Sequence, residues 1–434
     1  MRKMKICALV LLCLLTASLC GVFAYGMSGH SLHINYWGGG TKHELYSSVQ
    51  LLLEKEVSLD GIDSVSIRYD MNNNDVYLYE SKGNYLTVKE YSELALEENE
   101  LSTVQVTDSS IAVEGKKRDN NELVQIGMRG VRSPICYTEI GLPASYKGQL
   151  SIETVNGDVE SQMDIALENA FRAVTRSGDI TIPDITAQNI TLRCVSGDIQ
   201  ADTVRADAGS APGAVQISTS NGNINAGQLA GEMDVESVSG DITLSRINGR
   251  THIKTSNGNI ESDAISGETQ LVTTSGDITV KRLDGTVTVT SSNGNVNILA
   301  GGGARAVKTI SGDVRLEGVD SVWDVKTSNG SITIKADQGS GDIQTTSGDI
   351  GLALEQLTGN LNIESSNGSV EIRLSGDNAF DFKAVTTNGD IDTFFDDDLN
   401  FSKKGNSAQG TYGDNQGSRR IDIRTISGDV EVTR

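Results

Sequence analysis

The stretch that decides the fold runs from Thr255 to Ile278, TSNGNIESDAISGETQLVTTSGDI, and it states nearly the same phrase twice, as TSNGNI and then, eighteen residues on, as TTSGDI. Aligned on its glycine, the phrase recurs at Gly157, Gly178, Gly197, Gly222, Gly240, Gly258, Gly276, Gly294, Gly312, Gly330, Gly348, Gly368, Gly389 and Gly428, and from Gly222 to Gly348 the spacing is eighteen every time. Two residues after each glycine stands Ile or Val. Five before it stands mostly an aliphatic residue, such as Ile152, Val235, Ile253, Leu271 or Ile343. Three before it stands Thr or Ser, with Cys194 the exception.

Residues an even number apart on a strand face the same way. Positions −5, −3 and −1 are therefore expected inward, leading to a turn at the glycine, after which the Ile or Val at +2 points inward again. Glycine adopts positive φ at little cost, so Gly240, Gly258, Gly276, Gly294, Gly312, Gly330 and Gly348 are read as structural turns. A second set of turn residues, Gly249, Gly267, Gly285, Gly303 and Gly339, lies nine residues further on. Each unit thus holds two short strands and two turns. One such coil cannot bury its own apolar face, but stacked coils bury a shared narrow core. The expected fold is all-β: a single-chain parallel β-solenoid, or β-helix, with coils of about eighteen residues, right-handed by the general bias of parallel crossovers.

The small changes between copies also have a reading. The residue after the glycine runs Asn223, Asp241, Asn259, Asp277, Asn295, Asp313, Ser331, Asp349, and the residue before it alternates Asn221, Ser239, Asn257, Ser275, Asn293, Ser311, Asn329, Ser347. Coils stack at roughly 4.8 Å, where two carboxylates repel by about 0.9 kcal/mol even in water. Alternation is expected to keep every second coil neutral in the outward column, and inward Asn amides are expected to bond hydroxyls above and below. The full repeat is then about thirty-six residues.

Composition fits a thin core. Of 434 residues 37% are hydrophobic and 5% aromatic, with 47 Gly and only 4 Pro. Four histidines, His30, His33, His43 and His252, and no HExxH pair offer little to a zinc or triad site, so the composition leans away from an enzyme, and neither catalytic residues nor a cofactor is read. Arg2, Lys3 and Lys5 followed by an apolar run from Ile6 to Leu19 and by Val22-Phe23-Ala24 read as a secretory signal cut after Ala24. A lipidated Cys20 and an uncleaved anchor over Ile6 to Ala24 are the alternatives. In each case the body is extracytoplasmic, secreted or associated with the cell surface or envelope. Its charge of −22, about −25 without the signal, repels nucleic acid and anionic lipid.

The chain divides into a signal at 1–24, a linker at 25–44 containing Gly38 to Gly40, irregular amino-terminal coils at 45–143, and a regular solenoid at 144–434 with a loop excursion at about 394–418. Asp396, Asp397 and Asp398 in that excursion read as a solvated acidic loop rather than a metal site. The SGD turns share their glycine and aspartate with calcium-binding nonapeptide repeats, yet neighbouring coils replace Asp by Asn or Ser and the second glycine of that signature is missing. Turn stabilisation is the reading, and calcium is not expected. Cys136 and Cys194 are the cysteines beyond the signal, and their pairing is left open. His252, next to inward Ile253, points outward as ordinary surface.

All eleven tyrosines fall outside residues 147 to 411. In DVYLYE, residues 75 to 80, Val76 and Leu78 read as inward. Tyr77 and Tyr79 then face out, and Tyr85 does so by parity with Leu86 and Val88. These three form the candidate binding patch, with covering the end of the core as the competing reading.

Leu51-Leu52-Leu53 leading into KEVSLDGIDSVSIRYDMNNNDVYLYE, then IGLPASYKGQLSIETVNGDV at 140 to 159, then the ladder of T-x-S-G-D-I phrases, resembles the bacterial putative-adhesin β-strand-repeat family over roughly residues 45 to 434. The resemblance implies an extracytoplasmic β-helix in a family whose biological role is unassigned, and it carries over no catalytic residue. The resulting expectation is an exported, non-enzymatic binding and spacer module with a surface protein or glycan as partner. Two readings stay open beside it. One is a regulatory ectodomain reporting envelope stress to a membrane-anchored partner, and the other is a β-helix enzyme that processes polysaccharide with surface carboxylates.

Overall fold

The computed structural model describes residues 49–70, 73–117, 125–127, 130–132, 135–206, 213–414 and 419–434. The signal and the 25–44 linker lie outside the described residues. The chain is built from parallel strands that pair coil on coil, and the register is the sequence period. Ile224 pairs with Ile242, Ile242 with Ile260, Ile260 with Ile278, Ile278 with Val296, Val296 with Val314, Val314 with Ile332, and Ile332 with Ile350. From Ile242 to Ile350 this column is at most 1% exposed. A second column, Val235, Ile253, Leu271 and Val289, is fully buried across the same narrow core.

The inward Thr or Ser three residues before the glycine has a specific partner. Thr255 Oγ1 donates to the carbonyl of Gly240 at 3.0 Å, Thr273 to Gly258 at 3.1 Å, Thr309 to Gly294 at 3.2 Å and Thr345 to Gly330 at 3.0 Å, each reaching back one coil. A buried hydroxyl and a turn carbonyl are thereby both satisfied, which a Val at this position would leave undone.

The glycine column is required by close approach more than by φ. In that column Gly348 and Gly428 have φ of 148° and 150°, whereas a Cβ at Gly240, Gly258, Gly276, Gly294, Gly312 or Gly330 would overlap the carbonyl oxygen of the glycine one coil before. Positive φ belongs to the second turn, at Gly249 (129°), Gly267 (127°) and Gly303 (119°). Gly339 instead lies beneath the ring of Trp323, which is 2% exposed and donates its indole N–H to Val319 O at 3.1 Å.

One orientation differs from the strand-parity expectation. Asn221, Ser239, Asn257, Ser275, Asn293 and Ser311 are exposed, not inward. Parity holds only while the backbone stays extended. The chain bends at this corner, after the inward hydroxyl, so the residues at −2 and −1 both turn to solvent, and Val238 and Ile310 at −2 are 51% and 55% exposed. The Asn amides therefore do not knit the inner hydroxyls.

Both ends depart from the eighteen-residue rule. At the amino-terminal end, strands Ser64–Tyr69 and Asp75–Glu80 stack in parallel register under Gln149–Thr154 and Val159–Ser161. On the other side they pair, still in parallel, with Ser110–Glu114 and Cys136–Leu142, and beyond those the pairing becomes antiparallel: Tyr85–Ser92 joins Cys136–Leu142, and Gln50–Ser58 joins Tyr85–Ser92. Tyr69, 0% exposed, plugs this end, its hydroxyl 2.6 Å from Thr138 Oγ1 and 3.1 Å from Ser102 Oγ.

At the other end, the final strands Arg420–Ser427 and Val430–Thr433 insert between two earlier coils. Ile423 pairs with Ile363 on one side and Ala384 on the other, and Val430 pairs with Val370 and Ile391. Residues 394–418, expected as a loop thrown out between the last two coils, include strands Leu399–Phe401 and Ser407–Tyr412, the second of which runs antiparallel onto Phe380–Val385. Phe395, 4% exposed, packs its ring against Phe380, Phe382 and Tyr412. An outermost coil has no neighbour to bury its apolar edge, and these aromatics supply the cover.

Candidate functional site

Three groups of outward residues stand out, and the first is the turn corner. There the Asp or Asn after the glycine is a backbone acceptor. Asp241 Oδ1 takes the N–H of Asn259 at 2.7 Å, Asn259 Oδ1 that of Asp277 at 2.9 Å, Asp277 Oδ1 that of Asn295 at 2.7 Å, and Asn295 Oδ1 that of Asp313 at 2.9 Å. The ladder begins at Asp75, whose Oδ1 accepts the N–H of Asp158 at 3.0 Å, and continues through Asp158 to Asp179 and Asp179 to Asp198. Four successive rungs there, Asp75, Asp158, Asp179 and Asp198, carry carboxylates, so strict neutrality of every second coil is not a condition of stacking.

The second group is the aromatic patch at the amino-terminal end. Val76 and Leu78 are fully buried, as read, but Tyr77 is only 5% exposed and so is not an open anchor. Its strand pairs in parallel with Cys136–Leu142. Its ring meets Tyr137 edge-on at 5.6 Å, its hydroxyl donates to Asp75 Oδ2 at 3.0 Å, and Tyr137 in turn stacks on Tyr91 at 4.7 Å. Burial, then Asp75, pushes the Tyr77 phenol well above its ordinary range. Tyr79 is half-buried over Gly141, where a Cβ would meet its hydroxyl at 2.8 Å. Tyr85, 49% exposed, is the open ring of the three. The sequence did not reveal that Cys136–Leu142 and Tyr85–Ser92 extend this sheet beside Asp75–Glu80.

The third group is a charged face on consecutive coils. Asp234 pairs in register with His252 and Glu236 with Lys254. His252 Nδ1 is 3.1 Å from Asp234 Oδ1, Lys254 Nζ is 3.4 Å from Glu236 Oε1, and Arg250 Nε is 3.9 Å from Glu268 Oε2. His252 is outward, as parity required. Its carboxylate neighbours follow from the eighteen-residue register, a signal present in the sequence. Beside it opens a groove of about 360 Å³ lined by Glu232, Arg250, His252, Glu268 and Gln270 among others.

Cys136 and Cys194 are both free and buried. Cys194 Sγ donates to Gly197 O at 2.9 Å, and burial pushes its thiol up to about 11. Asp396, Asp397 and Asp398 form one exposed turn of 3₁₀ helix in which Asp396 Oδ1 accepts from Thr393 N and Oγ1 at 3.0 and 2.7 Å, a local bond that ties the turn to the preceding strand. No helix among the described residues is long and apolar enough to cross a membrane.

A putative cell adhesion protein from Clostridium sporogenes is similar at 8% identity, covering 88% of this chain and 99% of its own, with a TM-score of 0.18. A putative adhesin from Parabacteroides merdae is similar at 11% identity over 89% and 96%, TM-score 0.18. A putative lipid binding protein from Parabacteroides distasonis is similar at 12% over 88% and 96%, TM-score 0.16. Likenesses at this level bear on neither ligand nor partner. No curated protein matches. The model of the Toastrack DUF4097 family matches residues 62–261 and 302–433, most of the solenoid, and the chain belongs to the Toastrack DUF4097 family.

Proposed function

We propose that the chain is an exported, non-enzymatic β-solenoid with right-handed coils that serves as a binding and spacer module at the cell surface or in the envelope, its partner a surface protein or glycan. The observation that carries this reading is the triple tie between successive coils: apolar columns, Thr-to-Gly hydrogen bonds, and the Asp/Asn ladder. Seven eighteen-residue steps of about 4.8 Å carry the chain about 34 Å from Gly222 to Gly348, a stiff span whose outer faces are free for contact. Tyr85, with the edge of Tyr79, offers an aromatic anchor at one end.

The electrostatics support a passive surface. Acids on the outer faces sit in cross-coil pairs, such as Asp263 with Lys281 at 2.7 Å. The Arg315 guanidinium holds the Glu317 carboxyl below its ordinary range, opposite to the shift a general acid needs.

Protease shaving of intact cells expressing the full chain, with co-sedimentation of the purified chain on the envelope fraction, tests the proposal. Cleavage from outside and envelope binding are expected. A chain retained in the cytoplasm would contradict export, and turnover of a polysaccharide would contradict the non-enzymatic reading.

A further inference from the structure

Asp234 and Glu236 lie two residues apart on one strand and so project from the same face, and His252 is the register partner of Asp234 on the next coil. One ligand atom from each of the three lies within 4.8 Å of the others. Their side chains are partly open, at 48%, 44% and 38% exposure, so closing onto an ion at about 2.0–2.2 Å asks only for rotamer adjustment. One imidazole nitrogen with two carboxylates suits zinc and its first-row neighbours. Calcium and magnesium prefer an all-oxygen shell.

The adjoining groove of about 360 Å³, with Arg250, His252, Glu268 and Gln270 in its wall, leaves room beside the cluster for a water or an anionic oxygen ligand. The unpaired hydroxyls of Thr251 and Thr269 face the core on the opposite side of their strands and take no part in it.

We propose that Asp234, Glu236 and His252 bind one divalent transition ion of the zinc class, with the remaining coordination position open to water or an anionic oxygen ligand from the groove. The ion would clamp two neighbouring coils together. Lys254, 3.4 Å from Glu236, is its built-in competitor for that carboxylate.

The test is calorimetric titration of the chelator-treated full chain with zinc chloride, with thermal unfolding as a second readout. Wild type is expected to take up about one ion per chain and to melt higher with zinc. His252→Ala should weaken binding more than tenfold and lose the thermal gain, and Lys254→Met should tighten binding several-fold. Circular dichroism of the apo variants checks that both fold, as the exposure of the two side chains leads one to expect. The proposal is overturned if wild type takes up no zinc, if His252→Ala binds as tightly as wild type, or if calcium binds as well as zinc.

Discussion

The carboxylate of Asp277 accepts the backbone N–H of Asn295, one coil further on, at 2.7 Å, and one coil earlier Asn259 does the same for Asp277 at 2.9 Å. Amide and carboxylate occupy one structural role in turn, so the position requires an acceptor and only secondarily a charge. Asp277→Asn should stay within about 0.5 kcal/mol of wild type in urea unfolding, and Asp277→Ala should lose about 1 kcal/mol. Equal losses in the two variants would contradict this account of the ladder.

Charge still contributes. Replacing Asn259 and Asn295 together by Asp keeps both acceptors and fills the neutral gaps between Asp241, Asp277 and Asp313. Each new adjacency is worth up to about 0.9 kcal/mol before screening. The double variant should lose about 1–2 kcal/mol in low salt and regain part of it in sodium chloride, because exposed charges are screened. The run Asp158, Asp179, Asp198 makes complete unfolding an unexpected result. Full stability in low salt would remove electrostatics from the explanation.

Ile278 is 0% exposed, with Ile260 and Val296 as its register partners on the two sides. Ile278→Ala is expected to cost about 2–4 kcal/mol, toward the lower end because a thin stack partly collapses into the gap. A shift below about 0.5 kcal/mol in chemical denaturation would mean that the column is not a packed core.

Burial raises the Cys194 thiol from 9.0 to about 11. The folded value lies above the unfolded one, so as pH rises the unfolded chain ionises first. The contribution is complete below about pH 9 and is lost between about 9 and 11. Cys194→Thr, which restores the hydroxyl of the column, should remove that part of the alkaline loss, and unfolding of both proteins at neutral and alkaline pH measures it. An identical alkaline slope in the two would contradict the assignment.

The regular part of the fold was legible in the sequence because its constraints repeat. Ile or Val at +2, Thr or Ser at −3 and Gly at eighteen-residue intervals each answer to one physical demand that every coil must meet. Two demands were harder to see. The corner residues Asn257 and Ser275 turn outward because the backbone bends there, and a period-two rule carries no information about bends. The close backbone approach at Gly276 depends on the neighbouring coil, which a single phrase does not contain. The ends were least legible. A terminal coil is covered once, by whatever chain is at hand, so Tyr77 packs edge-on against Tyr137 of the neighbouring strand, and Phe395 lies beneath its own hairpin, with no repeat to announce either. The grouping of Asp234 with His252 needed only the register, applied to outward residues as it had been to inward ones.

The central claim is that coils stack backbone on backbone at the glycine column. The most direct measurement is urea unfolding of Gly276→Ala beside Gly351→Ala. A Cβ at Gly276 would overlap the carbonyl of Gly258, whereas one at Gly351 meets nothing within 4 Å, and neither glycine has a left-handed φ. Gly276→Ala should lose more than about 3 kcal/mol, as core overpacking against backbone does, and Gly351→Ala should be neutral or gain up to about 1 kcal/mol from a less flexible unfolded chain. Similar stability of the two variants would contradict the stacked-glycine architecture.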